Sequence, residues 1–185
     1  MKFCSACGHT LVYKIPAEDS RPRYVCENCR TIHYQNPKVI CGCIATWQDR
    51  ILLCRRAIEP RYGFWTLPAG FMENGESCAE GAQRETWEEA QAQVEGLQLY
   101  CLFDIPHIHQ IHLMYRGQLR DGGFGVGAES LETALFREEE LPWDQLAFPS
   151  ITHTLRHFVA DRVHGQFPLH SQLLQPTSWE RPGPH

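Results

Sequence analysis

The sequence predicts an α+β fold, with one layered core and a small cysteine-rich segment in front of it. Three observations carry this expectation. Four cysteines fall in two CxxC pairs near the N-terminus, apolar runs bounded by turn residues fill the middle, and only two segments have helical spacing.

The cysteine-rich segment, residues 1–34, comes first. Cys4 and Cys7 form one pair and Cys26 and Cys29 the second, with eighteen residues between Cys7 and Cys26. This is zinc-ribbon spacing, in which two tight turns bring four thiolates into a tetrahedral shell. Gly8 follows the first pair, where a positive φ helps the turn. Residues 11–14 and 23–25 read as short strands. Two disulfides or a redox CxxC are the competing readings. Zinc is preferred because so short a segment buries little, and a structural zinc contributes roughly 10–16 kcal/mol to folding. Four thiolates leave no open position for water, so this Zn2+ is expected to be structural, with His9 and His33 surplus to the shell.

The main segment, residues 35–170, is read element by element. Residues 39–46 form a buried strand, 48–50 a turn and 51–54 the returning strand of a hairpin. Residues 64–67 make a short strand ended by Pro68. A helix is expected over 77–91, then strands over 97–104, 110–119 and 131–136. Residues 151–163 place Ile151, Leu155, Phe158 and Val159 on one helical face. A tail, 171–185, follows; from Gln175 on, Pro176, Pro182 and Pro184 mark it as extended or disordered.

The bulk numbers exclude some functions. The 43% apolar and 21% charged residues suit a soluble globular domain. A net charge of −5 argues against a broad electrostatic grip on nucleic acid, so none is expected as a partner. No stretch is apolar enough to span a bilayer, and the N-terminus lacks a signal peptide's apolar core. The CxxC pairing of the cysteines favours a reducing, cytoplasmic setting over a disulfide scaffold.

The first helix carries the chemistry. Glu85, Glu88 and Glu89 stand at i, i+3 and i+4, which puts three carboxylates on one face. Like charges at this spacing repel, and the helix C-terminus disfavours anions. Arg84 is the only cation in the segment, against Glu76, Glu80, Glu85, Glu88 and Glu89. The face is either a solvated acidic surface or a site for a hard cation such as Mg2+ or Mn2+.

The surrounding residues bear on that choice. Gly70, five residues, Glu76, seven residues and then Arg84-Glu85-Thr86-Trp87-Glu88-Glu89 resemble the Nudix box, Gx5Ex7REUxEExGU, where U is bulky and apolar. Thr86 departs from the bulky position, and Gln91 stands where the family has glycine. The resemblance implies a Nudix α/β/α sandwich with a mixed sheet. It also implies that Glu85, Glu88, Glu89 and the Gly70 carbonyl hold Mg2+ or Mn2+, that Arg84 orients Glu85, and that Glu76 braces the loop. The base in such enzymes is a box glutamate or one from a later loop. Here the glycine-rich stretch 121–128 precedes Glu129 and Glu132; it is either a mobile loop that would bring Glu129 in as the candidate or a plain hairpin loop.

Tyr34-Gln35-Asn36-Pro37-Lys38, Trp65-Thr66-Leu67-Pro68-Ala69-Gly70, Asp104-Ile105-Pro106 and Leu146-Ala147-Phe148 are similar to the plant chloroplast Nudix hydrolases that act on FAD and ADP-ribose. The zinc-ribbon NADH pyrophosphatases carry an SQPWPFP-type motif that is missing after Ala92. The resemblance implies cleavage of a nucleoside diphosphate linked to another group, with FAD or ADP-ribose favoured, and often a homodimer. The alternatives are an NADH pyrophosphatase-like activity and a non-catalytic nucleotide sensor. Pro106 lies near where ADP-ribose-cleaving members place a proline. For substrate contacts, Arg55 and Arg56 could meet phosphate, and Phe64 and Trp65 could stack on a base, or all four could be structural. His107 and His109 are expected to share a strand face while His112 points away. Cys41 and Cys43 read as buried thiols.

Overall fold

The computed structural model describes residues 1–176, so most of the proline-bearing tail lies outside the described residues. Two compact units divide at Asn36 and Pro37.

The first unit is a three-stranded antiparallel sheet of β1 (Val12–Lys14), β2 (Arg23–Val25) and β3 (Ile32–His33). β3 is too short to give a period-2 signal in the sequence. The two CxxC turns share one backbone pattern. Cys4 N–H donates to His9 O at 2.8 Å and Gly8 N–H to Cys4 O at 2.9 Å; Cys26 N–H donates to Thr31 O at 2.9 Å and Arg30 N–H to Cys26 O at 2.8 Å. Gly8 takes φ +75° without penalty, whereas Arg30 holds φ +63° against the steric bias of an L side chain. The buried cluster of this unit is only Cys4, Leu11 and Cys26. Two of those three are proposed metal ligands, so little apolar burial remains to fold the segment by itself.

The second unit is built on an eight-stranded mixed sheet. Its strands are β4 (Lys38–Trp47), β5 (Arg50–Arg56), β6 (Trp65–Thr66), β7 (Ala69–Phe71), β8 (Val94–Ile105), β9 (Gln110–Leu119), β10 (Ser130–Phe136) and β11 (His170–Leu173). The main order is β10-β5-β4-β9-β8-β11, with β6 beside β5 and β7 beside β4. β4 runs parallel to β9, and β11 parallel to β8; the other pairs are antiparallel. β4 forks. Its first half pairs with β7, Cys41 opposite Gly70, and its last residues pair with β5, Thr46 opposite Ile51. At the fork, Cys43 N–H donates to Pro68 O at 3.0 Å. The segment 69–71 carries no strand signal of its own; its cross-strand partners on β4, distant in sequence, make it a strand.

Helix α1 (Cys78–Ala90) covers one face and α2 (Pro149–Arg162) accompanies the core on the other, giving the α/β/α sandwich. The strand alternation sorts the core accordingly. Cys41, Cys43 and Ala45 of β4 and Leu52 and Cys54 of β5 pack with Ala82 and Ala90 of α1. Ile44, Ile51 and Leu53 instead pack with Ile151, Leu155 and Phe158 of α2. Each such fully buried Leu or Ile is worth about 1.5–3 kcal/mol. Val159 is partly buried against the same cluster. α2 starts two residues earlier than expected, with Pro149 at its first position, where a missing N–H costs nothing. All nine cysteines are free, and Cys41 and Cys43 are buried as expected. Among the described residues no helix is long and apolar enough to cross a membrane.

Candidate metal and substrate site

α1 begins with a capping box: Ser77 Oγ accepts from Glu80 N–H, and the Glu80 carboxylate accepts from Ser77 N–H at 2.7 Å. The far end departs from the usual glycine. Gln91 sits in the left-handed region (φ 47°, ψ 34°), the conformation a C-cap glycine normally supplies, so the turn keeps its geometry with a less permissive residue. Thr86 is fully buried, and its hydroxyl donates to Ala82 O at 2.7 Å, which satisfies the polar group that replaces an apolar one.

Arg84 organises the carboxylates. Its Nε and Nη2 donate to the two oxygens of Glu76 at 3.0 and 2.8 Å. Nη1 donates to Glu85 at 2.7 Å and Glu88 at 2.8 Å, and Nη2 also donates to Phe71 O at 3.0 Å. These five contacts match the five donors of a guanidinium. Glu76 in turn accepts from Glu73 N–H at 2.7 Å, which ties down the loop before the helix. Arg84, followed by that N–H, holds the Glu76 carboxyl down to about 2. Gly70 lies against Glu85: a Cβ at Gly70 would sit 2.4 Å from Glu85 Oε1, so only glycine permits this approach.

Glu89 is different. It is 7% exposed and makes no ion pair among the described residues. Burial, reinforced by the Glu85 charge and opposed by Arg56, pushes its carboxyl up to about 8. Burial also raises Glu85, with Arg84 pulling the other way. The donor set therefore fits a hard divalent cation: clustered oxygens, one of them on a buried carboxyl without a direct ion pair. Among the described residues only the cysteine set has ligand atoms all within 4.8 Å of one another. The glutamate oxygens are not gathered so tightly, and Arg84 Nη1 bonds both Glu85 and Glu88.

A pH prediction follows from Glu89. Its folded value of about 8 exceeds the ordinary 4.5, so the folded metal-free chain keeps a proton that the unfolded chain releases. Metal-free stability should fall as pH rises from about 4.5 to 8, with the penalty complete above that window. Mn2+ must displace this proton, so its affinity should climb with pH up to about 8 and then level off. Calorimetric titrations of Mn2+ from pH 6 to 9 measure it; an affinity independent of pH would reject the assignment.

The other predicted residues fall in several places. Arg56 lies where it feels Glu89 and Glu129; its Nε donates to Pro60 O at 2.9 Å and its guanidinium lies 5.0 Å from the Phe148 ring. Arg55, next along β5, instead bonds Gly63 O at 3.0 Å and Glu132 at 3.3 Å. Trp65 is 8% exposed and packs edge-on to Phe136, a core position that offers no open ring face for a base. Phe64 stands beneath the Arg61 guanidinium, 3.6 Å away.

The histidines do not share a strand face. His107 lies in a 3-10 turn opened by Pro106, and His109 turns through φ 55°. His112 bonds Ser150 Oγ at 3.0 Å and Gln110 Oε1 at 2.9 Å inside the second unit. The glycine-rich loop is not a free lid: Gly125 and Gly127 donate backbone bonds to α1. Ser130, which sequence reasoning passed over, donates to Glu89 O at 2.8 Å.

In the first unit, Cys4 and Cys29 sulfurs lie 3.6 Å apart and Cys7 and Cys26 sulfurs 3.4 Å apart. A tetrahedron with metal–sulfur bonds near 2.3 Å has sulfur–sulfur edges of about 3.8 Å, so the set suits one metal ion. His33 Nε2 is 3.3 Å from Cys4 Sγ, and His9 Nδ1 is 3.2 Å from Cys7 O. The histidines thus hydrogen-bond around the thiolates. The backbone N–H of His9 leads the effects that hold the Cys7 thiol down to about 5, near a ligand's thiolate state.

Against known families, residues 36–161 match the NUDIX domain model, and residues 2–35 match the model described as Nudix N-terminal. The chain belongs to the NUDIX family. A Nudix hydrolase crystal structure from Nitrosomonas europaea is 51% identical, with TM-score 0.91, covering 94% of this chain and 99% of that one. The NAD-capped RNA hydrolase NudC of Klebsiella pneumoniae is 29% identical over 143 residues, 76% of this chain and 53% of that protein. This chain thus spans about half the length of that Nudix relative. The crystal structure of an ADP-ribose pyrophosphatase from Streptococcus suis shares the Nudix fold at 20% identity, with TM-score 0.58, covering 74% of this chain and 99% of that one.

Proposed function

We propose that the protein is a metal-dependent Nudix pyrophosphohydrolase that splits the diphosphate of a nucleoside diphosphate joined to a second group. The observation that carries this reading is the set of box carboxylates: Glu85, Glu88 and Glu89 on one face of α1, with Gly70 against Glu85 and Arg84 bonded to two of the three. Glu85, Glu88, Glu89 and the Gly70 carbonyl would hold Mg2+ or Mn2+. A bound divalent cation supplies Lewis acidity toward the phosphoryl oxygens. Arg84 and Glu76 hold the loop and helix in register. Glu129 takes the proton of the attacking water, whose oxygen bonds to phosphorus as the bridging P–O bond breaks, leaving two monophosphates. Arg56, whose charge acts on Glu89 across the site, meets the phosphates. In the first unit, Cys4, Cys7, Cys26 and Cys29 hold a structural Zn2+.

FAD and ADP-ribose are the favoured substrates, on the similarity to the chloroplast enzymes. A second reading, an NADH- or NAD-linked diphosphate, is favoured by the relative named an NAD-capped RNA hydrolase. That name also attaches RNA to the diphosphate, so the net-charge argument against nucleic acid is put to the same test. FAD, ADP-ribose, NADH and NAD-capped RNA are each incubated with Mg2+ or Mn2+, and the monophosphates released are separated and counted. Release of AMP from ADP-ribose, or of AMP and FMN from FAD, supports the first reading. NMNH release from NADH, or NMN release from capped RNA, with no product from ADP-ribose or FAD, replaces it with the second. Binding without any product would leave a nucleotide sensor and reject the enzyme.

A further inference from the structure

The loop carrying Glu129 is fastened to the last turn of α1 by bonds that no sequence pattern announces. Gly125 N–H donates to Ala90 O at 2.6 Å and Gly127 N–H to Glu89 O at 3.0 Å. Ser130 Oγ donates to the same Glu89 carbonyl at 2.8 Å. These are carbonyls that a helix C-terminus leaves without intrahelical partners. The loop is braced from its other side: Thr133 Oγ1 donates to Gly125 O at 2.7 Å, Ser130 N–H to Gly127 O at 3.1 Å, and Ala57 N–H to Glu129 O at 2.8 Å. Gly127 admits only glycine, and Gly125 is covered closely by a side chain. A Cβ at Gly127 would lie 1.8 Å from Glu88 O, and one at Gly125 would lie 2.6 Å from the Gln91 side-chain oxygen. Glu129 stands close enough for its charge to act on Glu85, Glu89 and Arg56.

We propose that Gly127 and Ser130 are positioning residues that clamp the Glu129 loop to the metal-ligand helix, so that base and ligands move as one body. This rests on the reading of Glu129 as base. The clamp bonds the backbone of Glu89 itself, so a shift of the loop is a shift relative to the carboxylates. Gln91 takes part: its left-handed turn ends the helix while its side chain covers Gly125.

The test is a double-mutant cycle in the full-length chain, assayed with ADP-ribose and with FAD in Mg2+, alongside hydrogen exchange. Glu129→Gln should lower kcat about 100-fold, the usual scale for a lost general base. Ser130→Ala should lower kcat about tenfold with KM unchanged, and Ser130→Thr, which keeps the hydroxyl, should restore it. In the Glu129→Gln background, Ser130→Ala should cost nothing further, because the group it positions is gone. A Ser130→Ala loss of equal size in both backgrounds, or no loss at all, overturns the clamp while leaving the base reading in place. Full kcat in Glu129→Gln overturns the base reading. Independently of activity, the amides of Gly125 and Gly127 should exchange slowly in the wild-type protein; exchange at the free-peptide rate would overturn the clamp.

Discussion

Glu88→Gln is expected to reduce Mg2+-dependent hydrolysis by about 1,000-fold, the several kcal/mol that a metal contributes to a phosphoryl transition state. The fold should survive. The Glu88 side chain is 54% exposed and its one hydrogen bond here is to Arg84, which keeps its bonds to Glu76, Glu85 and Phe71. A substitution at such a surface position changes stability by about 0.5 kcal/mol or less. Circular dichroism should give an unchanged melting temperature while product release collapses. Undiminished hydrolysis would remove Glu88 from the ligand set, and parallel loss of fold and activity would leave the box without a specific role.

Removing the metal from the cysteine cluster should have the other large effect. With Cys4, Leu11 and Cys26 as its buried cluster, the first unit has little apolar area to offset the entropy of ordering its chain. Zinc binding of roughly 10–16 kcal/mol is large enough to decide that balance. Cys26→Ser is therefore expected to abolish one equivalent of bound zinc per chain and to unfold residues 1–36. Elemental analysis and limited proteolysis read the two effects. A purified wild-type chain without zinc, or a Cys26→Ser chain equally resistant in this segment, would reject the zinc ribbon.

Much of this architecture was legible because its signals are local. The zinc-ribbon spacing, the 110–119 strand and the helix around Glu85 to Glu89 are written in short-range patterns, and the strand and helix bounds agree within a residue. What was missed depends on partners far away in sequence. β7 is a strand because β4 lies beside it, and β11 because β8 does. Trp65 reads as an aromatic near a site, yet the sheet turns it toward Phe136. Arg55 and Arg56 are indistinguishable as letters; the alternation of β5 sends one to Glu132 and the other toward Glu89. The glycines of 121–128 read as freedom, whereas Gly127 is where backbone meets backbone too closely for a side chain.

The saturation of Arg84 has a consequence for how the site is kept ready. Before any cation arrives, one guanidinium holds Glu76, Glu85, Glu88 and the Phe71 carbonyl in place. Placement of the loop and of the helix is thus completed during folding, and only the ligand carboxylates are left to close on the metal. A lysine would keep the charge but offers three donors from a single atom, leaving at least two of these contacts to water. At this position the shape of the cation, more than its sign, is what the site requires.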